Sequence, residues 1–347
     1  MQKNLYNGSG LRAQGSGLMA QGSGLRAYFN SKFNQLKYFI ARMRVCGNCS
    51  PLVYNCRSYS DSKFLRAFLE IISSPYGLFK YLFYKPKPLA SREGLAIAAI
   101  AKNEGPYIKE WIEFYVKQGV SHFLIYDNDS TDNMHEVLQP FIAQGIVTYK
   151  KLPGKARQYD AYNMAIHDYK DKFRYMAMLD LDEFCFCLEH DKNLYEFVDE
   201  FMKSHEHAGG IGANWLLFGS SGHETKPVGG VLENYLMCAE KDFGPNHLVK
   251  TICDPEKVLC FLNPHLPMYI RSYHNFNENG GIIRDAITDK VSFSKIRINH
   301  YYCKSKEEYI IKKNRGLADN KNNIRKMSDF YDHDQNIIKD TEILSHI

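Results

Sequence analysis

The sequence predicts an α/β fold: a mostly parallel sheet with helices on both faces, preceded by a basic N-terminal arm. Three observations lead there. Apolar runs of strand length alternate with segments of helical period from residue 94 to residue 179. Polar clusters close several of those runs. Charge also divides the 347-residue chain: Met1 to Glu93 holds 14 Lys/Arg against 3 Asp/Glu, a net +11, and the remainder 30 against 36, a net −6.

The arm comes first. Gly8-Ser-Gly-Leu-Arg-Ala-Gln14 and two near-copies ending at Tyr28 make a seven-residue repeat over residues 1–28. Two glycines per unit oppose a helix, and one large apolar residue per unit is too few for a coiled-coil seam. This segment is expected to be flexible, without a fold of its own. Residues 29–93 interleave bases with Phe33, Leu36, Phe39, Ile40, Phe64, Leu65, Phe68 and Leu69 at helical spacing. One or two amphipathic helices are expected, either packed on the body or lying in a membrane interface. Lys85-Pro-Lys-Pro88 reads as a stiff linker. The apolar stretch near Ile71 to Phe79 is broken by Pro75 and Gly77, far short of the roughly 20 residues a spanning helix needs. Cys46 and Cys49 form a CxxC without a second pair, so no zinc site is expected; the nine cysteines read as cytoplasmic thiols. No apolar leader is seen, so the expected location is cytoplasmic, either free or peripheral on the cytoplasmic face of a membrane. The basic arm calls for an anionic surface. Nucleic acid is not expected, since no recognisable module for it occurs.

The body starts at residue 94. Leu95 to Ala101 is a continuous apolar run, as a buried parallel strand requires. Pro106 suits the first turn of the next helix, which carries Ile108, Trp111, Ile112 and Tyr115 and ends at Gly119. Phe123 to Tyr126 is a second strand, followed by a helix from about Thr131 to Ala143. Ile146 to Tyr149, Arg157 to Tyr169 and Arg174 to Leu179 read as strand, helix and strand. Ligands of such sheets bind beyond the carboxyl ends of the strands. Lys102-Asn-Glu104, Asp127-Asn-Asp129 and Asp180-Leu-Asp182 all fall there. No Gly-x-Gly-x-x-Gly follows the first strand and no P-loop occurs, so neither a dinucleotide site nor a P-loop is supported. Asp180 and Asp182, one residue apart at a strand end, can face one opening and hold Mg2+ or Mn2+ against an anionic substrate. Solvated turn carboxylates are the alternative.

Ala101-Lys-Asn-Glu-Gly-Pro-Tyr-Ile-Lys-Glu-Trp-Ile-Glu113, Tyr126 to Asp132 and Leu179 to Phe184 resemble glycosyltransferase family 92 (DUF23-like) and the related family 2-like enzymes. Trp215 to His223, Ile298 to Tyr309 and Lys313 to Gly316 extend the resemblance, which runs from about Leu95 to Asp340. It implies a GT-A fold, with a catalytic domain at 94–305 and its helical tail at 306–347. It also implies transfer of a sugar from a nucleotide-sugar, expected to be UDP-linked, to an acceptor hydroxyl with inversion, in glycan or cell-surface polysaccharide synthesis. The acceptor would be a glycan or lipid-linked chain. On the donor side the resemblance places Asn103, Glu104, Asp127, Asp129, Arg157, Gln158 and Asp180. Asp180, Asp182 and His300 would hold Mn2+ or Mg2+.

The general base is open among His223 and Glu224, with Asp242 and Asp254 as competitors. Trp215 would either stack on the acceptor or be buried. Lys312, Lys313 and Arg315, behind a capping box at Ser305-Lys-Glu-Glu308, either reach the diphosphate or form a solvated helix face. Two other function classes stand beside this one. A sugar nucleotidyltransferase would usually have a Gly-rich loop where this chain has Lys102-Asn-Glu-Gly-Pro106. A non-catalytic scaffold would have no use for carboxylates at three strand ends.

Overall fold

The computed structural model describes residues 47–56, 60, 62–315 and 325–347. The repeats of residues 1–28, the stretch 29–46 and with it Cys46 lie outside the described residues.

Three helices open the described chain: α1 (Pro51–Cys56), α2 (Lys63–Ile72) and α3 (Ser74–Phe83). The alternating body follows with β1 (Glu93–Ala101), α4 (Gly105–Lys117), β2 (Val120–Asp127), α5 (Met134–Ala143), β3 (Val147–Lys151), α6 (Gln158–Tyr169) and β4 (Phe173–Met178). Then come β5 (Glu183–Cys187), α7 (Leu194–Ser204), β6 (Ala208–Leu217), the short α8 (Val231–Asn234), β7 (Met237–Cys238) and β8 (Val249–Cys253). The small strands β9 (Val258–Phe261), β10 (Pro267–Tyr269), β11 (His274–Phe276) and β12 (Ile282–Ile283) lead to β13 (Ile296–His300). Helices α9 (Lys306–Arg315) and α10 (Met327–His333) and strand β14 (Ile338–Lys339) complete the chain.

The sheet order β12-β11-β6-β8-β4-β1-β2-β3 sits within a ten-stranded sheet. From β3 to β4 every pairing is parallel, as the alternating sequence predicts. Beyond β4 the sheet is mixed, because β8 runs antiparallel to both β4 and β6. Period-two alternation sorts the strand side chains onto two faces. Leu95, Ile97, Ala99, Phe123, Ile125, Tyr175 and Ala177 pack with Trp111, Ile112, Leu138 and Phe197 from α4, α5 and α7. Ala98, Ile100, Leu124, Tyr126, Met176 and Met178 pack with Ala161, Tyr162 and Ile166 of α6. Helices therefore cover both faces.

Local chemistry sets the helix ends. Gly119, at φ +80°, donates its N–H to the Val116 carbonyl and stops α4 in a conformation that only glycine adopts cheaply. Helix α5 begins at Met134, three residues later than the sequence suggests. The intervening residues are held in a turn: the Thr131 N–H donates to Asn103 and the Met134 N–H to Asp132. The capping box of α9 is present, with Glu308 N–H on Ser305 Oγ at 3.2 Å and Ser305 N–H on Glu308 Oε2 at 3.1 Å.

The segment read as a linker is bonded to the body. Tyr84 Oη donates to Glu256 at 2.5 Å and the Lys87 N–H to the same carboxylate at 3.0 Å. Arg92 and Asp254 form a buried two-point ion pair, at 2.6 and 3.2 Å, tying the start of β1 to the end of β8.

Candidate active site

Parallel pairing brings the carboxyl ends of β1, β2 and β3 to one edge, with Ala101 beside Asp127 and Asp127 beside Lys151. There a cleft is lined by Lys102, Glu104, Asn128, Gln158, Asp180, Asp182, Trp215, Lys250, His265, His300, Lys312 and Arg325, among others.

The Asp-Leu-Asp of the β4 end is held by side chains from distant elements. Asp180 Oδ1 accepts from Gln158 Nε2 at 2.8 Å, and its Oδ2 from Lys250 Nζ at 2.9 Å. Lys250, on β8, is 1% exposed and also lies 3.5 Å from Glu183. Burial would lower its pKa, but Asp180 and Glu183 outweigh burial and hold it well above the ordinary value. Burial pushes the Glu183 carboxyl upward, with Lys250 opposing. Asp182 Oδ2 accepts from Lys312 Nζ at 2.5 Å and lies 3.7 Å from His300 Nε2. Burial alone would raise Asp182, yet Lys312 and His300 hold it well below the usual carboxylate range. Burial lowers the pKa of His300, against the pull of Asp182. A neutral imidazole is the form that ligates a metal.

Two carboxylates and a neutral imidazole suit Mn2+ or Mg2+ in kind. Among the described residues, buried His300 Nδ1 and the buried Trp215 indole N–H find no hydrogen-bond partner, as a site completed by a ligand would leave them. The spacing in this structure is set by lysines, however. Among the described residues, the three ligand atoms lying within 4.8 Å of one another belong to His190, Glu342 and His346, which do not line the cleft. Asp180, Asp182 and His300 do not close to that span, and Lys312 occupies the Asp182 oxygen nearest the imidazole.

Several expected site residues are used elsewhere. Asp127 and Asp129 line a neighbouring depression with Tyr149 and Lys151. The Asp127 carboxylate accepts from the Ser130 N–H at 2.9 Å and from the Tyr149 hydroxyl. Asp129 accepts from the Gly154 N–H at 2.9 Å. It is Asn128, between them, that lines the cleft. Asn103 accepts from the Thr131 N–H at 2.7 Å and joins the first two strand-end loops. Arg157 is buried against Asp160 at 2.7 Å and the Pro153 carbonyl at 3.1 Å, and does not line the cleft. Glu104, Gln158, Asp180, Asp182, Trp215 and His300 do line it.

The general-base candidates lie away from the cleft in this structure. Neither His223 nor Glu224 lines the cleft. Their loop is pinned to the start of α9, with the Lys306 N–H on the His223 carbonyl and the Glu224 side chain, 75% exposed, 3.1 Å from Lys306. Asp254 is consumed by Arg92, and Asp242 is exposed outside the cleft. Of the basic cluster on α9, Lys312 reaches the cleft and Lys313 does not line it. Trp215 is both buried and on the cleft wall, its ring 4.2 Å from His300 and 5.3 Å from His265. Lys250 and His265 were not singled out from the sequence. Neither stands in a motif, and both arrive from beyond β6.

Comparison with known proteins agrees with the resemblance. A glycosyltransferase family 92 protein of Arabidopsis thaliana is 22% identical over 226 residues, covering 62% of this chain and 36% of the relative. One from Ricinus communis is 27% identical over 211 residues, covering 60% and 35%. The chain thus spans about a third of the length of these relatives. The crystal structure of S. aureus TarS in complex with UDP overlaps 46% of each chain, at 13% identity and a TM-score of 0.30. That of glucosyl-3-phosphoglycerate synthase from Mycobacterium tuberculosis, with Mn2+, UDP and glucosyl-3-phosphoglycerate, overlaps 36% of this chain and 45% of its own, at 16% identity and 0.26. The sequence profile of glycosyltransferase family 92 matches residues 99–336, more than half of the chain, and the protein belongs to that family.

Proposed function

We propose that the chain transfers a sugar from a UDP-linked donor to the hydroxyl of a glycan or lipid-linked acceptor, with inversion and with the help of a divalent cation, in glycan or polysaccharide synthesis. The observation that carries this reading is the shared cleft. Asp180, Asp182 and His300 line it beside the β1 and β4 ends together with Lys102, Lys312 and Arg325. A cation held by Asp180, Asp182 and His300 would supply Lewis-acid assistance to departure of the nucleoside diphosphate.

The chain's own residues do the rest. Gln158 fixes one oxygen of Asp180. Lys312 and Arg325 bring positive charge to the diphosphate, which carboxylates alone would repel. Trp215 offers an indole N–H and a ring edge to a sugar. Incubation with a panel of nucleotide-sugars and Mn2+ tests the reading, with free nucleoside diphosphate as the expected product and the anomeric proton reporting inversion. Pyrophosphate released from a nucleoside triphosphate and a sugar phosphate would instead mean nucleotidyl transfer. Release of neither would leave a scaffold.

A further inference from the structure

Beyond Lys63, the charged side chains of α2 and α3 face the protein. Arg66 pairs with Glu70 at 3.3 Å and reaches Asn48 at 3.3 Å and Asp160 of α6 at 3.5 Å. Lys80 donates to the Val258 and Leu259 carbonyls of β9 at 3.2 and 3.3 Å. Glu70, Ser73, Ser74 and Gly77 are buried.

The outward side is the reverse. Every exposed residue from Phe64 to Phe83 is apolar or aromatic. Phe64 is 83% exposed, Phe79 64% and Phe83 65%, with Phe68, Ile71 and Ile72 between them at about half. Positions 64, 68, 71 or 72, 76, 79 and 83 recur every three or four residues, so one stripe continues from α2 onto α3. A surface helix of a soluble domain turns its apolar stripe inward. A contiguous apolar patch left outside marks an interaction surface.

Charge identifies the occupant. No exposed charge interrupts the stripe, and exposed Lys63 and Lys85 bracket it. The stretch Met1 to Glu93 carries a net +11. A second copy of the chain would bring the same excess against itself. An anionic bilayer takes both parts: acyl chains receive the stripe and headgroups receive the bases. Among the described residues no helix is long and apolar enough to cross a membrane, so these helices would lie in the interface. We infer that α2 and α3 seat their outer face in the headgroup–acyl boundary of an anionic leaflet and hold the protein there without spanning it.

The test uses the full chain, vesicles of phosphatidylcholine alone or mixed with phosphatidylglycerol, and a Phe64→Ser/Phe79→Ser/Phe83→Ser variant. Wild type should sediment with the anionic vesicles, less so as salt rises. The variant should lose more than about tenfold in vesicle affinity, since three aromatic rings no longer insert. Its melting temperature should hold, because the replaced side chains make little packing. Should the variant melt early, Phe64→Trp gives a second reading: its emission should shift to the blue on anionic vesicles and be quenched by brominated lipid. An unshifted emission overturns the inference. So does a well-folded variant that binds vesicles as wild type does, since the bases alone would then suffice. Wild type that ignores anionic vesicles and dimerises through this face overturns it too. None of these outcomes depends on the reaction assigned to the cleft.

Discussion

Two aspartate pairs at strand ends on either side of β1 have the same Asp-x-Asp pattern and opposite fates. Asp127 and Asp129, after β2, spend their carboxylates on nearby groups: the Ser130 N–H, the Tyr149 hydroxyl and the Gly154 N–H. Asp180 and Asp182, after β4, are held by the side chains of Gln158, Lys250 and Lys312, and Asp182 faces His300. A carboxylate that accepts backbone N–H groups in its own loop is part of the fold, because releasing it unmakes the loop. A carboxylate held by a lysine ammonium can exchange that cation for another. On the proposed function, the second pair is the one that takes part in the chemistry.

The largest expected effect tests that distinction. Asp182→Asn should lower transfer by more than about a hundredfold, since an amide is a poor substitute for a carboxylate on a hard cation. EDTA should do the same to wild type, reversibly. Full activity in EDTA would place the β4 pair beside the β2 pair as structural.

Lys312→Met should separate two roles of the lysine. With the competing ammonium gone, calorimetry should show Mn2+ alone binding about tenfold tighter, while UDP binds more weakly. The free variant should also be less stable, because Asp182 is left buried without its partner. Unchanged Mn2+ binding would remove Lys312 as the cation that holds the site before the metal arrives.

Asp127→Ala should act on the other side of the comparison. It removes the acceptor of two hydrogen bonds to a charged group, with a loss of about 1.5–3 kcal/mol in unfolding free energy and little change in UDP affinity. Weakened UDP binding at full stability would return Asp127 to the donor pocket. Asp129→Asn should be the mildest. Asn tolerates the φ of +61° at this position and still accepts from Gly154, so chemical denaturation should move by less than about 0.5 kcal/mol.

The sequence by itself determined the parallel half of the sheet, its helices, the capping box at Ser305 and the location of the polar clusters at strand ends. These rest on periodicity and on caps, which are properties of residues within a few positions of one another. It could not say which of Asp127, Asn128 and Asp129 turns toward the cleft, because the twist of one loop decides that. It could not say that His223 and Glu224 stay with the start of α9. It offered Lys312 as a base for the diphosphate but neither Lys250 nor the carboxylate each lysine holds, since Lys250 meets Asp180 across 70 residues and Lys312 meets Asp182 across 130. The outward stripe of α2 and α3 shows the same division. Its spacing is legible in the letters, but which side faces solvent followed from Arg66 finding Asp160 and Lys80 finding the carbonyls of β9. Burial and ion pairing depend on which distant segments cross, and only the folded chain brings those segments together.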